Sequence, residues 1–227
     1  MFQRGANWTV LLASLGLSVG GVLLLWPSIP SAHYAAHLRR QRKLNMQQIA
    51  IAIYEYAQSH GRFPPAFTTD QNGNRLHSWR TLILPEIGEG ELFAMIDLTK
   101  PWDAPENARA RHRLPECYQS LAGDAQTPVT VYLAILGEGT AFDRAEGRPF
   151  AESMPQWKST ISFIEGPKQW AAHWMAPVDA TLDEFLLLGS SAATPEEDTL
   201  LVGFADAHVE RVPIAERREY RRERFTP

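Results

Sequence analysis

The chain has 227 residues, 44% hydrophobic and 10% aromatic, enough for one sizeable core; with an apolar amino-terminal run set aside, about 200 residues remain, the size of a single domain. The formal charge of -4 is small and mixed in sign, which argues against a chain-wide affinity for nucleic acid or another polyanion. The single cysteine, Cys117, excludes an intrachain disulfide and any cysteine-based metal motif.

From Trp8 to Trp26 the chain reads WTVLLASLGLSVGGVLLLW, without a charge and with an aromatic at each end. Its length suits a helix crossing a hydrocarbon layer of about 30 Å, and it is apolar on every face, unlike a core helix with one buried stripe. A cleaved secretory signal is the rival reading, but the run is long for one, and SIPSAHY lacks a clean small-x-small cleavage site. An uncleaved single-pass anchor over residues 1–30 is therefore expected. Arg39, Arg40, Arg42 and Lys43 follow it, against Arg4 before it, and this asymmetry taken alone favours a cytoplasmic body.

A basic, then amphipathic, helix is predicted within 31–61. Met46, Ile49, Ala50, Ile53 and Ala57 recur at spacings of three and four, Gly61 offers a left-handed cap, and Pro64 and Pro65 forbid continuation. His33 and His37 share a helical face, but no third ligand stands at useful spacing, so they read as surface polar groups. Asn72-Gly73 then marks a turn.

The segment Ser78–Asn107 packs two tryptophans, three prolines and several short apolar runs together and reads as a structural plug. Ser78 is expected to cap a short helix through Leu84, stopped by Pro85, and Glu91–Leu98 to form a second. Asp103 and Glu106 are read as caps for a helix over Glu106–His112 rather than as a catalytic carboxylate pair.

The second half turns strand-like. Val129–Leu136, Ser159–Gly166 and Thr199–Asp206 are rich in β-branched and aromatic residues and are bounded by turn residues. Asp206-Ala207-His208 followed by the alternating VERVP predicts a terminal β-hairpin. Helix first and sheet second make an α+β class, with a globular domain over 62–213 and a charged tail over 214–227.

Five segments, SWRTLILPEI, KPWDAPEN, GEGTAF, HWMAPVDATLDEF and VGFADAHVERV, occur in the order and spacing of a large paralogous family best known from planctomycetes, a domain of unknown function with a prepilin-like amino terminus. The chain resembles that family from about Leu44 to about Pro213. The resemblance implies a type IV pilin-like or pseudopilin-like architecture: an amino-terminal membrane helix, an amphipathic helix continuing from it, and an antiparallel sheet laid on that helix outside the cytoplasmic membrane. The family pattern carries a glutamate at the fifth mature position after a Gly cleavage site; here Arg4-Gly5 precedes Ala6 and Val10 stands at that position. Its carboxyl-terminal His-x9-Asp-Gly signature appears as Glu196 and Asp206-Ala207, and Pro27 and Pro30 interrupt the helix a pilin uses. These departures point to a simply anchored, divergent member.

Enzymatic readings are weaker. Cys117 with His112 lacks helical registry and a third orienting group, and Gly137-Glu138-Gly139 lacks the Lys and following helix of a phosphate loop. Glu165, Asp179, Asp183 and Asp206 are candidate oxygen ligands for calcium, by resemblance to loops of some pseudopilins. The expectation is a single-pass envelope protein in a structural or interaction role, linked to type II secretion or type IV pilus-like machinery. The lipid bilayer and other pilin-like subunits are its expected partners. No residue is assigned as catalytic, cofactor-binding or metal-ligating, and no nucleic-acid partner is expected. The alternatives are a periplasmic ligand-binding module, with Trp79, Trp102, Trp157, Trp170 and Trp174 lining a groove, and a hydrolase.

Overall fold

The computed structural model describes residues 28–119, 127–143, 145–151, 157–188 and 199–213. The expected membrane run Trp8–Trp26, Val10 within it, Glu196 and the tail from 214 all lie outside the described residues. Among the described residues no helix is long and apolar enough to cross a membrane. The chain divides into two units, Met1–Gln41 and Arg42–Pro227. Of the first, the described part is the start of helix α1 (Ser28–His60), on which His33 and His37 are both exposed.

In the second unit, the rest of α1 carries the expected stripe: Met46, Ile49, Ala50, Ile53 and Ala57 are all essentially inaccessible, and Ala52 widens it. Gly61 ends the helix at φ +69°, a conformation that costs glycine nothing. The Asn72-Gly73 turn closes a small hairpin that the sequence reading left without strands, β1 (Phe67–Thr69) and β2 (Arg75–Ser78). Asp70 organises it, accepting from the backbone N–H of Asn72 and of Asn74 at 2.8 Å each.

The plug is a succession of short turns. Ser78 caps α2 (Trp79–Leu82) by accepting from the Arg80 N–H at 3.2 Å, and α3 (Gly90–Ala94) follows Pro85. The 3-10 turn Pro105–Asn107 and α4 (Ala108–Arg111) come next, but neither Asp103 nor Glu106 caps them. Ala104 occupies the cap position, and Pro105 has no N–H for a cap to satisfy, so the expected capping role is corrected.

Val129–Leu136, expected as one strand, divides at Val131 into β3 (Val129–Thr130) and β4 (Tyr132–Leu136). β3 pairs with β6 (Ala172–His173). The main sheet has the order β7 (Ala180–Thr181), β4, β5 (Ile161–Glu165), β8 (Thr199–Phe204), β9 (Val209–Pro213). Every pairing in it is antiparallel except β4 with β7, and β8–β9 is the predicted terminal hairpin. The domain is α+β, as expected.

Alternation along the strands divides the core. Tyr132, Ala134, Phe163 and Leu201 face the α1 stripe and the plug. Leu133, Ile135, Ile164, Val202 and Phe204 face the other way, under Phe185 and Leu186 of α5 (Leu182–Leu187). Thr181 and Glu184 form the capping box that starts α5. Gly203 is required where the strands cross the first face, since a Cβ there would lie 2.2 Å from Cε1 of Phe163.

Candidate functional site

Two of the five family-like segments, SWRTLILPEI and HWMAPVDATLDEF, converge with β4 on one buried side chain. Arg80 sits in the first turn of α2, between Trp79 and Thr81, and is fully buried. Its guanidinium donates to four backbone carbonyls: Nε to Trp174 at 2.9 Å, Nη1 to Tyr132 at 3.0 Å, and Nη2 to Ala176 at 2.8 Å and Val178 at 2.9 Å. Nη1 also donates to Asp179 Oδ1 at 2.8 Å, completing all five guanidinium N–H groups. The same carboxylate oxygen accepts from Trp79 Nε1 and from the Ala134 N–H, both at 2.9 Å. Tyr118 closes the assembly from below, its hydroxyl donating to the Arg80 carbonyl at 2.8 Å.

The arrangement ties α2, β4 and the irregular 174–179 segment to one cation. A planar fork of five donors suits it, and a lysine would leave several of these carbonyls without a donor. Burial pushes the Asp179 carboxyl up, opposed by Arg80, Trp79 and the Ala134 N–H. Asp179 Oδ2 has no hydrogen-bond partner, which makes Oδ1 the working acceptor.

Two further polar pins hold the loop 97–101. Asn107, fully buried, accepts from the Asp97 N–H at 2.8 Å and donates to the carbonyls of Asp97 at 3.1 Å and Pro101 at 3.0 Å. His77, equally buried, places Nε2 2.7 Å from the Lys100 carbonyl. A third link joins α1 to the sheet, where Arg42 Nε lies 2.6 and 2.9 Å from the two carboxylate oxygens of Glu165.

The structure disperses the candidate calcium ligands. Glu165 is held by Arg42, Asp179 by Arg80, and Asp206 by His208, so cationic or imidazole groups already engage three of the four. Among the described residues no three His, Cys, Asp or Glu side chains are placed to hold a metal ion. Cys117 is buried and its thiol is pushed up to about 12, chiefly by desolvation, while His112 is exposed; the pair forms no nucleophile and base. Gly137-Glu138-Gly139 is a tight turn closed by Thr140, whose N–H and hydroxyl donate to the Gly137 carbonyl at 3.2 and 2.8 Å.

The five tryptophans line no common groove. Trp79, Trp157 and Trp174 are buried in the core on the α1 side of the sheet; Trp102 is half-buried at the edge of that core, and Trp170 packs against the opposite one. Ala207 holds φ +68° in the β8–β9 turn and is the only non-glycine with positive φ among the described residues.

Sequence reasoning missed Arg80 as a hub, although a signal was present: an arginine inside the apolar run WRTLIL, beside tryptophan, has to find several acceptors if that run is buried. Asp179 was noticed only as a possible ion ligand, because its partner lies 99 positions away in the chain.

An α+β domain built around a buried arginine whose acceptors come from distant segments is thus the class of protein in hand. A family described as protein of unknown function (DUF1559) matches residues 39–156, more than half of the chain, and the chain belongs to this family. The match includes Arg80, His77 and Asn107 and ends before the segment that supplies Asp179. No curated protein and no solved structure matches it.

Proposed function

We propose that this protein is a single-pass, membrane-anchored, pseudopilin-like component of the cell envelope. Its globular body stands on the periplasmic side of the inner membrane and acts through structure or interaction rather than catalysis. The observation that carries the reading is a sequence of two parts: the uncharged run Trp8–Trp26, and after it a helix whose apolar stripe lies against an antiparallel sheet. The lipid bilayer and other pilin-like subunits are the partners this architecture suits, in a setting akin to type II secretion or type IV pilus machinery. A non-catalytic role is supported by the chemistry of the buried polar groups, since Arg80, Asp179, Glu165 and Asn107 are each engaged by partners within the fold and the Cys117 thiol is protonated at neutral pH.

The test is topological. A reporter enzyme active only outside the cytoplasm, fused after Pro227, is expected to be active, with the protein in the membrane fraction and released by detergent alone. A silent reporter places the body in the cytoplasm, as the Arg39–Lys43 charges taken alone favour, and ends the periplasmic reading. Amino-terminal sequencing is expected to return Met1. A start at Ala6 marks a processed prepilin and moves the role from simple anchoring to filament assembly.

A further inference from the structure

The loop Asp97–Asp103 is fastened by an unusual set of contacts. Besides Asn107, two histidines hold it, one beneath and one beside it. His77 reaches up from β2 with Nε2 2.7 Å from the Lys100 carbonyl and 3.3 Å from that of Asp97. Both partners are acceptors, so Nε2 must carry the proton. Nδ1, buried and without a hydrogen-bond partner, is then bare in the neutral ring.

His173, in β6, lies beside the loop with its ring centroid 4.7 Å from that of Trp102. Its Nδ1 accepts from the Met175 N–H at 3.2 Å, which again requires the neutral ring with its proton on Nε2. The Trp102 N–H donates to the Leu76 carbonyl at 3.0 Å, next to His77 in the chain, and Arg111 Nη1 donates to the Asp103 carbonyl at 2.9 Å.

We propose that Asp97–Asp103 is an acid-released flap, locked while His77 and His173 are both neutral and freed when they are protonated. Protonation of His173 sets a second N–H against the Met175 N–H, so the ring must leave that turn and with it the face of Trp102. Protonation of His77 puts a charge and an unpaired donor at a buried Nδ1; the Lys100 and Asp97 carbonyls favour the charged ring, but only opening that brings Nδ1 to water satisfies the new donor. The charged and titratable groups facing His173 are Arg111 of α4, His112 just after it and Arg80 of α2; their charges oppose a positive ring in the closed form, while the Arg111 backbone favours one. His77 faces Asp97, which favours its protonation, but burial outweighs it and holds the ring below the usual histidine range. Burial, with Arg111 next, pushes His173 down to about 4. Opening exposes the indole of Trp102 and the core edge it packs against.

The linkage has a definite sign. A ring that titrates at about 4 when held and at about 6.5 when free takes up protons on opening. Acid therefore raises the open population, by at most roughly a hundredfold per such ring between pH 7 and pH 4. Hydrogen exchange on the intact chain in detergent, corrected for the intrinsic pH dependence of exchange, tests this. Protection of the backbone amides of Thr99, Lys100 and Trp102 is expected to fall at least tenfold between pH 7 and pH 4 relative to that of β4 and β5. In the double variant His77→Gln/His173→Asn, whose amides keep a donor near Nε2 and an acceptor near Nδ1 without titrating, the relative protection is expected to stay constant. Loop protection in the wild type that does not change relative to the sheet overturns the proposal, and so does an equal fall in the double variant. Should that variant not fold, ring nitrogen shifts in the wild type decide: both rings neutral with the proton on Nε2 at pH 6 uphold the lock, and a charged ring at that pH overturns it.

Discussion

The two faces of the main sheet are covered in opposite ways. Behind the sheet, Leu133, Ile135, Ile164, Val202 and Phe204 meet Phe185 and Leu186 of a single short helix, an entirely apolar contact that follows from strand alternation. In front, α1 and the plug meet Tyr132, Ala134, Phe163 and Leu201 with Arg80, Asp179, His77 and Asn107 buried among them or directly beneath. Regular elements satisfy their own backbone, so the rear face needs only apolar area. The plug and the segment 174–179 are mostly turns, and their carbonyls need donors from side chains; His77 and Asn107 serve those of the plug, and Arg80 serves those of Trp174, Ala176 and Val178.

This contrast can be broken most sharply at Arg80. Arg80→Met is expected to destabilise the domain by about 3–5 kcal/mol, because Asp179 and four carbonyls lose their shared donor together. Adding Asp179→Leu should recover only part of that loss, since the four carbonyls remain unpaired; full recovery in urea unfolding would mean that the ion pair alone, and not the carbonyl fork, is what matters. On the boundary between the regions, Gly203→Ala drives a methyl into Phe163 and should cost about 1–3 kcal/mol by thermal melting. Phe163→Leu in the same chain should soften that penalty, whereas an unchanged penalty would place the clash in the backbone.

Smaller effects sharpen the comparison. Asn107→Ala removes one acceptor and two donors from the 97–101 loop and is expected to cost about 1–3 kcal/mol, with hydrogen exchange rising in that loop and not in β8. Exchange rising equally in β8 would show that the loop is not a separately pinned unit. Smallest and opposite in sign, Ala207→Gly should stabilise the β8–β9 hairpin by about 0.5–1 kcal/mol, relieving a left-handed alanine. A lower melting temperature for that variant would mean the unfolded-state entropy of glycine outweighs the strain.

The regular parts were legible in advance for the reason that makes the rear face simple. Met46, Ile49, Ala50, Ile53 and Ala57 announce a helix and its buried side through spacing alone, and the strand-forming runs announce β4, β5 and β8 through composition. The Asn72-Gly73 turn and the Ser78 cap depend on neighbours a few positions away and were equally readable. β7 escaped notice because a two-residue parallel strand has too little sequence to show a period. Asp103 and Glu106 were misread because capping depends on a register set one residue away.

By itself, then, the amino-acid sequence determined an α+β class, the helix stripe, the principal strands and a plug of turns between them, since each follows from interactions local to a few residues or from a repeating pattern. Only the tertiary structure decided that Arg80 is the hub, that Asp179 serves it instead of a metal ion, that the tryptophans form core rather than a groove, and that two histidines fasten one loop. Those outcomes depend on which distant carbonyls and carboxylates arrive beside a buried donor. The acceptors that five guanidinium N–H groups or one imidazole will meet carry no period and no fixed spacing along the chain.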